Sequence, residues 1–243
     1  LNENHLPKKK VEKLSLLDKI LNTESVMDGY SKIIVVAILL MAPAIEASAD
    51  ATEDIRRADE LYAASEFEAS VKFLSQAIDS GELSGEALAT IYFKRGLTYG
   101  RYSKNDEAIS DYEIAIIFDP THVAAWSSIC YQKSVHQEKL DEALSACNQA
   151  LRLDSNHGPS YGLRGYIWRQ KGNFAEGEKD YNHAVLLSPD NWLIRFNRGH
   201  FYDHFDERNK ALRDLTEAYE MAPSWGRTHS TTLYLFKEYG IVN

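Results

Sequence analysis

Residues 91–120 read IYFKRGLTYGRYSKNDEAISDYEIAIIFDP, and the spacing of small and aromatic residues within this stretch decides the fold. They fall at Tyr92, Gly96, Tyr99, Ala108, Tyr112 and Ala115, and the stretch closes on Pro120. The set returns as Tyr161, Gly165, Trp168, Gly177, Tyr181, Ala184 and Pro189, then as Gly199, Tyr202, Ala211, Leu215, Ala218 and Pro223. Counted from each glycine, the steps of three, nine, four, three and five residues repeat unchanged. Self-similarity at a period of about 34 residues marks an array of stacked supersecondary units.

Two antiparallel helices joined by a short turn approach closely only where small side chains meet, with aromatics filling the space beside them. Gly96 with Ala108 and Gly165 with Gly177 are the expected facing pairs. Proline cannot continue a helix but starts one well, so Pro120, Pro189 and Pro223 punctuate the array. Each hairpin leaves an apolar face that only a neighbouring hairpin can bury. Strand signals are nearly absent, and the chain reads as all-helical.

The residue types, their order and the period resemble the tetratricopeptide repeat. The resemblance covers residues 50–223 and implies an α-solenoid of about five helical hairpins. A C-terminal capping helix is expected within 224–243, over roughly Thr228 to Glu238, with Leu233, Leu235 and Phe236 on the last repeat. Two copies depart from register. The first carries Ala58, Leu61, Tyr62, Phe67, Ser70, Leu74 and Ala77, but the next copy begins about four residues late. The extra length falls in DSGELSGE, residues 79–86, which reads as a loosened, flexible turn near Gly81. In the third copy Trp126 and Ile129 are on time while Ala143 and Ala150 fall one residue late, which predicts an insertion between Val135 and Lys139.

The formal net charge is −9, and the only basic run is Lys8 to Lys10. Nucleic acid, which needs several cations on one face, is not an expected partner. Ile33 to Ile45 reads IIVVAILLMAPAI and is followed by Glu46 and then Ala47, Ser48, Ala49. The run is short of the roughly 20 residues that span a bilayer. Its small-x-small end predicts a signal peptide over 27–49, with Asp50 as the mature start. Residues 1–26 read as a non-native or cytoplasmic extension. The competing reading keeps the run as an uncleaved membrane anchor. Export to the periplasm or outside the cell is the expectation, with the membrane involved only if the segment is uncut.

Cys130 and Cys147 are the only cysteines, one on each helix of the third hairpin, with their midpoint near the expected turn. In the family pattern they take the small and the aromatic positions, both on the helix–helix contact. Export favours a disulfide between them over two buried thiols.

In this family the first helix of each hairpin lines the concave side, so the resemblance implies a peptide groove built from Phe93, Leu97, Arg101, Tyr131, Tyr166, Arg169, Phe196 and His200. Members that clamp chaperone C-termini carry Lys and Asn at the first two lining positions. This chain has Phe93 with Leu97, Ser127 with Tyr131, Gly162 with Tyr166 and Phe196 with His200, so that clamp is missing. No phosphate loop, zinc-protease helix, nucleophile elbow or CxxC occurs. His200, Asp203, His204 and Asp206 form one polar cluster; histidines four apart share a helix face, which opens an alternative reading as a metal-binding or enzymatic protein. The expected function is non-catalytic, without cofactor: a scaffold or adaptor for a protein or peptide partner. A membrane-anchored assembly factor is the further alternative.

Overall fold

The computed structural model describes residues 51–101, 103–135 and 139–242. The extension and the signal or anchor segment lie outside the described residues. Among those described, all regular structure is helical, and the chain falls into two compact units that meet between Ala125 and Trp126.

The first unit holds α1 (Ala51–Ala63), α2 (Phe67–Asp79), α3 (Gly85–Arg101) and α4 (Asn105–Phe118). Helices α1 and α2 pair, α3 and α4 pair, and α2 packs on α3. Ala51, Ala58, Leu74, Ala77 and Ile91 form its apolar cluster. The four extra residues of the first copy are not a loosened turn. Helices α7 and α9 begin seven residues before their small residue, at Gly158 and Trp192, whereas α3 begins eleven before Gly96, at Gly85. The insertion is therefore one added turn of helix. Glu86, Ala87 and Leu88 suit it, being good helix formers, with a carboxylate where the macrodipole is positive. The link 80–84 is only one residue longer than 154–157 or 188–191, and Gly81, at φ 68°, makes its bend.

Helix α5 (Val123–Ser134) crosses the division. The second unit continues with α6 (Leu140–Leu153), α7 (Gly158–Gln170), α8 (Phe174–Leu187), α9 (Trp192–His204), α10 (Arg208–Met221), α11 (Ser224–Thr228) and α12 (Ser230–Glu238). Helix α5 ends at Ser134 and α6 begins at Leu140, five residues apart against three in the other hairpins; one of the two extra residues is the insertion that the register shift expects, and the other arises because α5 ends one residue sooner after its small residue. The cap is present: Phe236 lies edge-on to both Phe196 and Tyr219, and Leu235 and Phe236 are buried.

The expected small pairs divide: Gly96 does come up against Ala108, whose carbonyl oxygen a Cβ there would meet at 3.1 Å, whereas the three atoms nearest such a Cβ on Gly165 all belong to Tyr181. A Cβ on Gly96 would lie 2.6 Å from the Tyr112 ring, and one on Gly165 would lie 2.8 Å from Tyr181. Gly96 and Gly165 are thus roofed by the aromatic sixteen residues on, and Gly199 by Leu215 at the same spacing, 2.9 Å from a Cβ placed there. Gly177 meets the Phe201 ring of the following hairpin rather than Gly165. Two small positions facing each other would leave a void, and close packing fills it with rings.

A second recurrence accompanies the first. The residue before the small position is Arg57, Arg95, Arg164 and Arg198 in four copies, and Ile129 in the third. Arg95 forks onto Asp111 through Nε and Nη2, both at 2.8 Å. Arg164 does the same to Asp180, both at 2.7 Å, and Arg198 to Asp214 at 2.6 and 2.8 Å. The remaining Nη1 reaches the preceding hairpin, donating to Ser75 Oγ, Asn148 Oδ1 and Asn182 Oδ1 respectively. Each arginine therefore ties its own two helices together and fixes the hairpin before it. Bidentate geometry is what lets a buried guanidinium and carboxylate offset their lost hydration. In the first copy Phe73 stands where the aspartate would be, and Arg57 lies 5.7 Å over its ring.

Candidate functional site

In the third hairpin the fork positions hold Ile129 and Ala146, and a covalent bond does the joining. Cys130 and Cys147 form a disulfide across α5 and α6, with Cα atoms 5.3 Å apart and both side chains buried. Lys133 Nζ to Glu142 Oε2, at 2.8 Å, bridges the same two helices. The hairpin with the displaced register is thus held by a cross-link between its small and aromatic positions, each one step on from a fork position.

The expected lining residues divide into exposed and sealed sets. In the first unit, Leu97 on α3 is exposed, while the Phe93 ring packs 5.7 Å from Tyr112 and 4.6 Å from His122. Arg101 Nε donates to the Tyr62 hydroxyl at 3.3 Å. In the second unit Tyr131 on α5 is 53% exposed although its neighbour Cys130 is fully buried. Tyr166 on α7 is half-buried. Phe196 corrects the expectation: it is 4% exposed, sealed by Phe236 of the cap. The capping helix over the last repeat takes Phe196 out of solvent and leaves His200 part-exposed.

Arg169 and His200 come together from α7 and α9, which pack on one another. Arg169 Nη1 contacts His200 Nε2 at 3.1 Å, and a guanidinium has only donors, so the imidazole accepts there and is neutral with its proton on Nδ1. Burial, with the Arg169 charge beside it, pulls the His200 pKa down to about 4. The Arg169 guanidinium lies 5.1 Å over the Tyr166 ring, and its Nε is buried without a partner. Gln170 Nε2 donates to the Tyr166 hydroxyl at 3.1 Å.

The His200, Asp203, His204 and Asp206 cluster does not converge. Asp203 Oδ1 accepts the Tyr239 hydroxyl at 2.7 Å, and His204 stands edge-on to Phe205. Asp206 sits in the turn at φ 60°. Among the described residues no group of three His, Cys, Asp or Glu side chains is placed to hold a metal ion. The Arg–Asp forks were missed by sequence reading, although the sixteen-residue spacing of Arg95 with Asp111, Arg164 with Asp180 and Arg198 with Asp214 was available to find them.

Paired helices repeating at one register define a helical-repeat protein, and its copies match a known repeat. Residues 158–191 match the family model of the tetratricopeptide repeat. A chloroplastic tetratricopeptide repeat domain-containing protein, PYG7 of Arabidopsis thaliana, is 33% identical over 93 residues, 37% of this chain and 30% of that protein. The crystal structure of TTC0263, a thermophilic TPR protein of Thermus thermophilus, superposes with TM-score 0.63 at 17% identity, covering 79% of this chain and 98% of that one. YrrB, described as a TPR protein with an unusual peptide-binding site, gives TM-score 0.52 at 21% identity over 85% and 99%. The protein is a tetratricopeptide repeat protein, an all-α solenoid. The matched stretches span at most 30% of the curated relatives. Among the described residues no helix is long and apolar enough to cross a membrane.

Proposed function

We propose that the protein is a non-catalytic scaffold that holds a peptide or protein segment against the first helices of its repeats, with α5 and α7 as the principal contact in the second unit. The carrying observation is Tyr131, a large ring 53% in solvent on a helix whose adjacent Ile129 and Cys130 are fully buried. Leu97 repeats the pattern at the same register position in the first unit, 37% exposed next to buried Gly96. Rigid aromatics left half in water on a packed helix act as anchors for a docking segment. The named peptide-binding site of YrrB, on the same fold, supports a groove of this kind.

The protein acts outside the reducing cytosol, in the periplasm or beyond the cell. The Cys130–Cys147 disulfide and the apolar run before Asp50 both support that location. Capture from envelope extract with wild type and with a Tyr131→Ala, Tyr166→Ala double variant tests the binding face. A partner that is lost with the variant supports it; an unchanged partner set overturns it. Amino-terminal sequencing of protein recovered from the host tests the location: Asp50 at the terminus supports export with cleavage, and an intact upstream segment in the membrane fraction supports the anchor instead.

A further inference from the structure

We infer that Arg169, Tyr166 and His200 form a recognition point for a carboxylate carried by the bound peptide, which rests on the peptide-binding reading above. Among the other part-buried arginines of the second unit, Arg164 and Arg198 fork onto aspartates, Arg195 pairs with Glu217, and Arg227 donates to the carbonyls of Ala222 and Glu220. Arg169 reaches no carboxylate among the described residues. Its one protein partner is the neutral His200 ring, and its buried Nε has none. The guanidinium is held in place from below by Tyr166, so its position is fixed before any ligand arrives.

The surrounding groups are donors as well. The Tyr166 oxygen already accepts from Gln170, which leaves its proton to give, and His200 keeps a proton on Nδ1 because Nε2 faces Arg169. Asp203, one turn of α9 beyond His200, is engaged by Tyr239. In a chain of net charge −9, a local cation with a planar fork is what can select a carboxylate against the general repulsion. The acceptor position on a peptide is either its terminal carboxylate or an Asp or Glu side chain; both have the same fork-compatible geometry.

The test is a selection of random octapeptides with free C-termini on the full chain. Enriched sequences are remade as fluorescein-labelled peptides, with each acid changed to its amide and with the C-terminus amidated in separate arms. The arm that loses affinity identifies which carboxylate is read. Arg169→Gln is expected to weaken the acidic peptide about tenfold, and to leave the neutralised peptide's affinity where wild type has it. Arg169→Lys, which keeps the charge without the fork, is expected to fall between, and both variants are checked for wild-type melting. Enriched peptides that bind Arg169→Gln as tightly as wild type, or that are indifferent to neutralisation, overturn the carboxylate point while sparing the peptide-binding reading. A selection that enriches nothing overturns both.

Discussion

At Arg198 and Asp214, whose carboxylate is fully buried, each charge is tolerable only because the other is present. Asp214→Ala leaves a guanidinium without its fork and is expected to cost about 3–5 kcal/mol in urea unfolding. An Arg198→Met, Asp214→Leu double variant is expected to recover most of that loss, since an apolar pair needs no hydration to replace. His200 gives a pH-dependent term. Its folded pKa is about 4 against an ordinary 6.5, so between those values the unfolded chain binds a proton that the folded chain refuses. The associated stability is complete above about 6.5 and is lost as the pH falls through 4. His200→Gln removes that titration, and urea midpoints at pH 7 and 5 are expected to differ less for the variant than for wild type. The spacing of the glycines was legible in the sequence. What they pack against was not, because spacing records which residue type recurs and not which ring fills the space above it.

The hairpin turns carry their own regularity. Ser65, Ser103, Gly172 and Asp206, each seven residues after its small residue, adopt the left-handed conformation at φ 63°, 59°, 70° and 60°. In the fourth hairpin Asn173 N donates to Trp168 O and Gly172 N to Arg169 O, a closing pattern that helix ends favour with glycine. Gly172→Ala is therefore expected to destabilise by about 1 kcal/mol, and Ser103→Gly to stabilise by up to about 1 kcal/mol, read as shifts in the unfolding midpoint. Element boundaries were partly legible. The longer link between α5 and α6 showed itself as a register slip, and the disulfide followed from the positions of two cysteines. The added turn of α3 was hidden, since a count of inserted residues is the same whether Glu86 to Leu88 coil into helix or loop out.

As a whole the chain is a tetratricopeptide repeat array whose copies use three different joints: a cation–π contact in the first, Arg–Asp forks in the second, fourth and fifth, and a disulfide in the third. The array was readable from period alone because each hairpin must bury the same face. The candidate site was readable only in part. Register named Tyr131 and Tyr166, which are exposed and half-buried, but it could not show that Phe236 would fold back over Phe196 from outside the repeats. The central claim is that a partner lies on the first helices and not on the outer second helices. A photo-crosslinking residue placed at Tyr131 on α5, and separately at Leu212 on α10, which is also exposed, tests this in the native host. The account predicts a crosslinked partner from position 131 and none from 212. A partner captured only from 212 would contradict it.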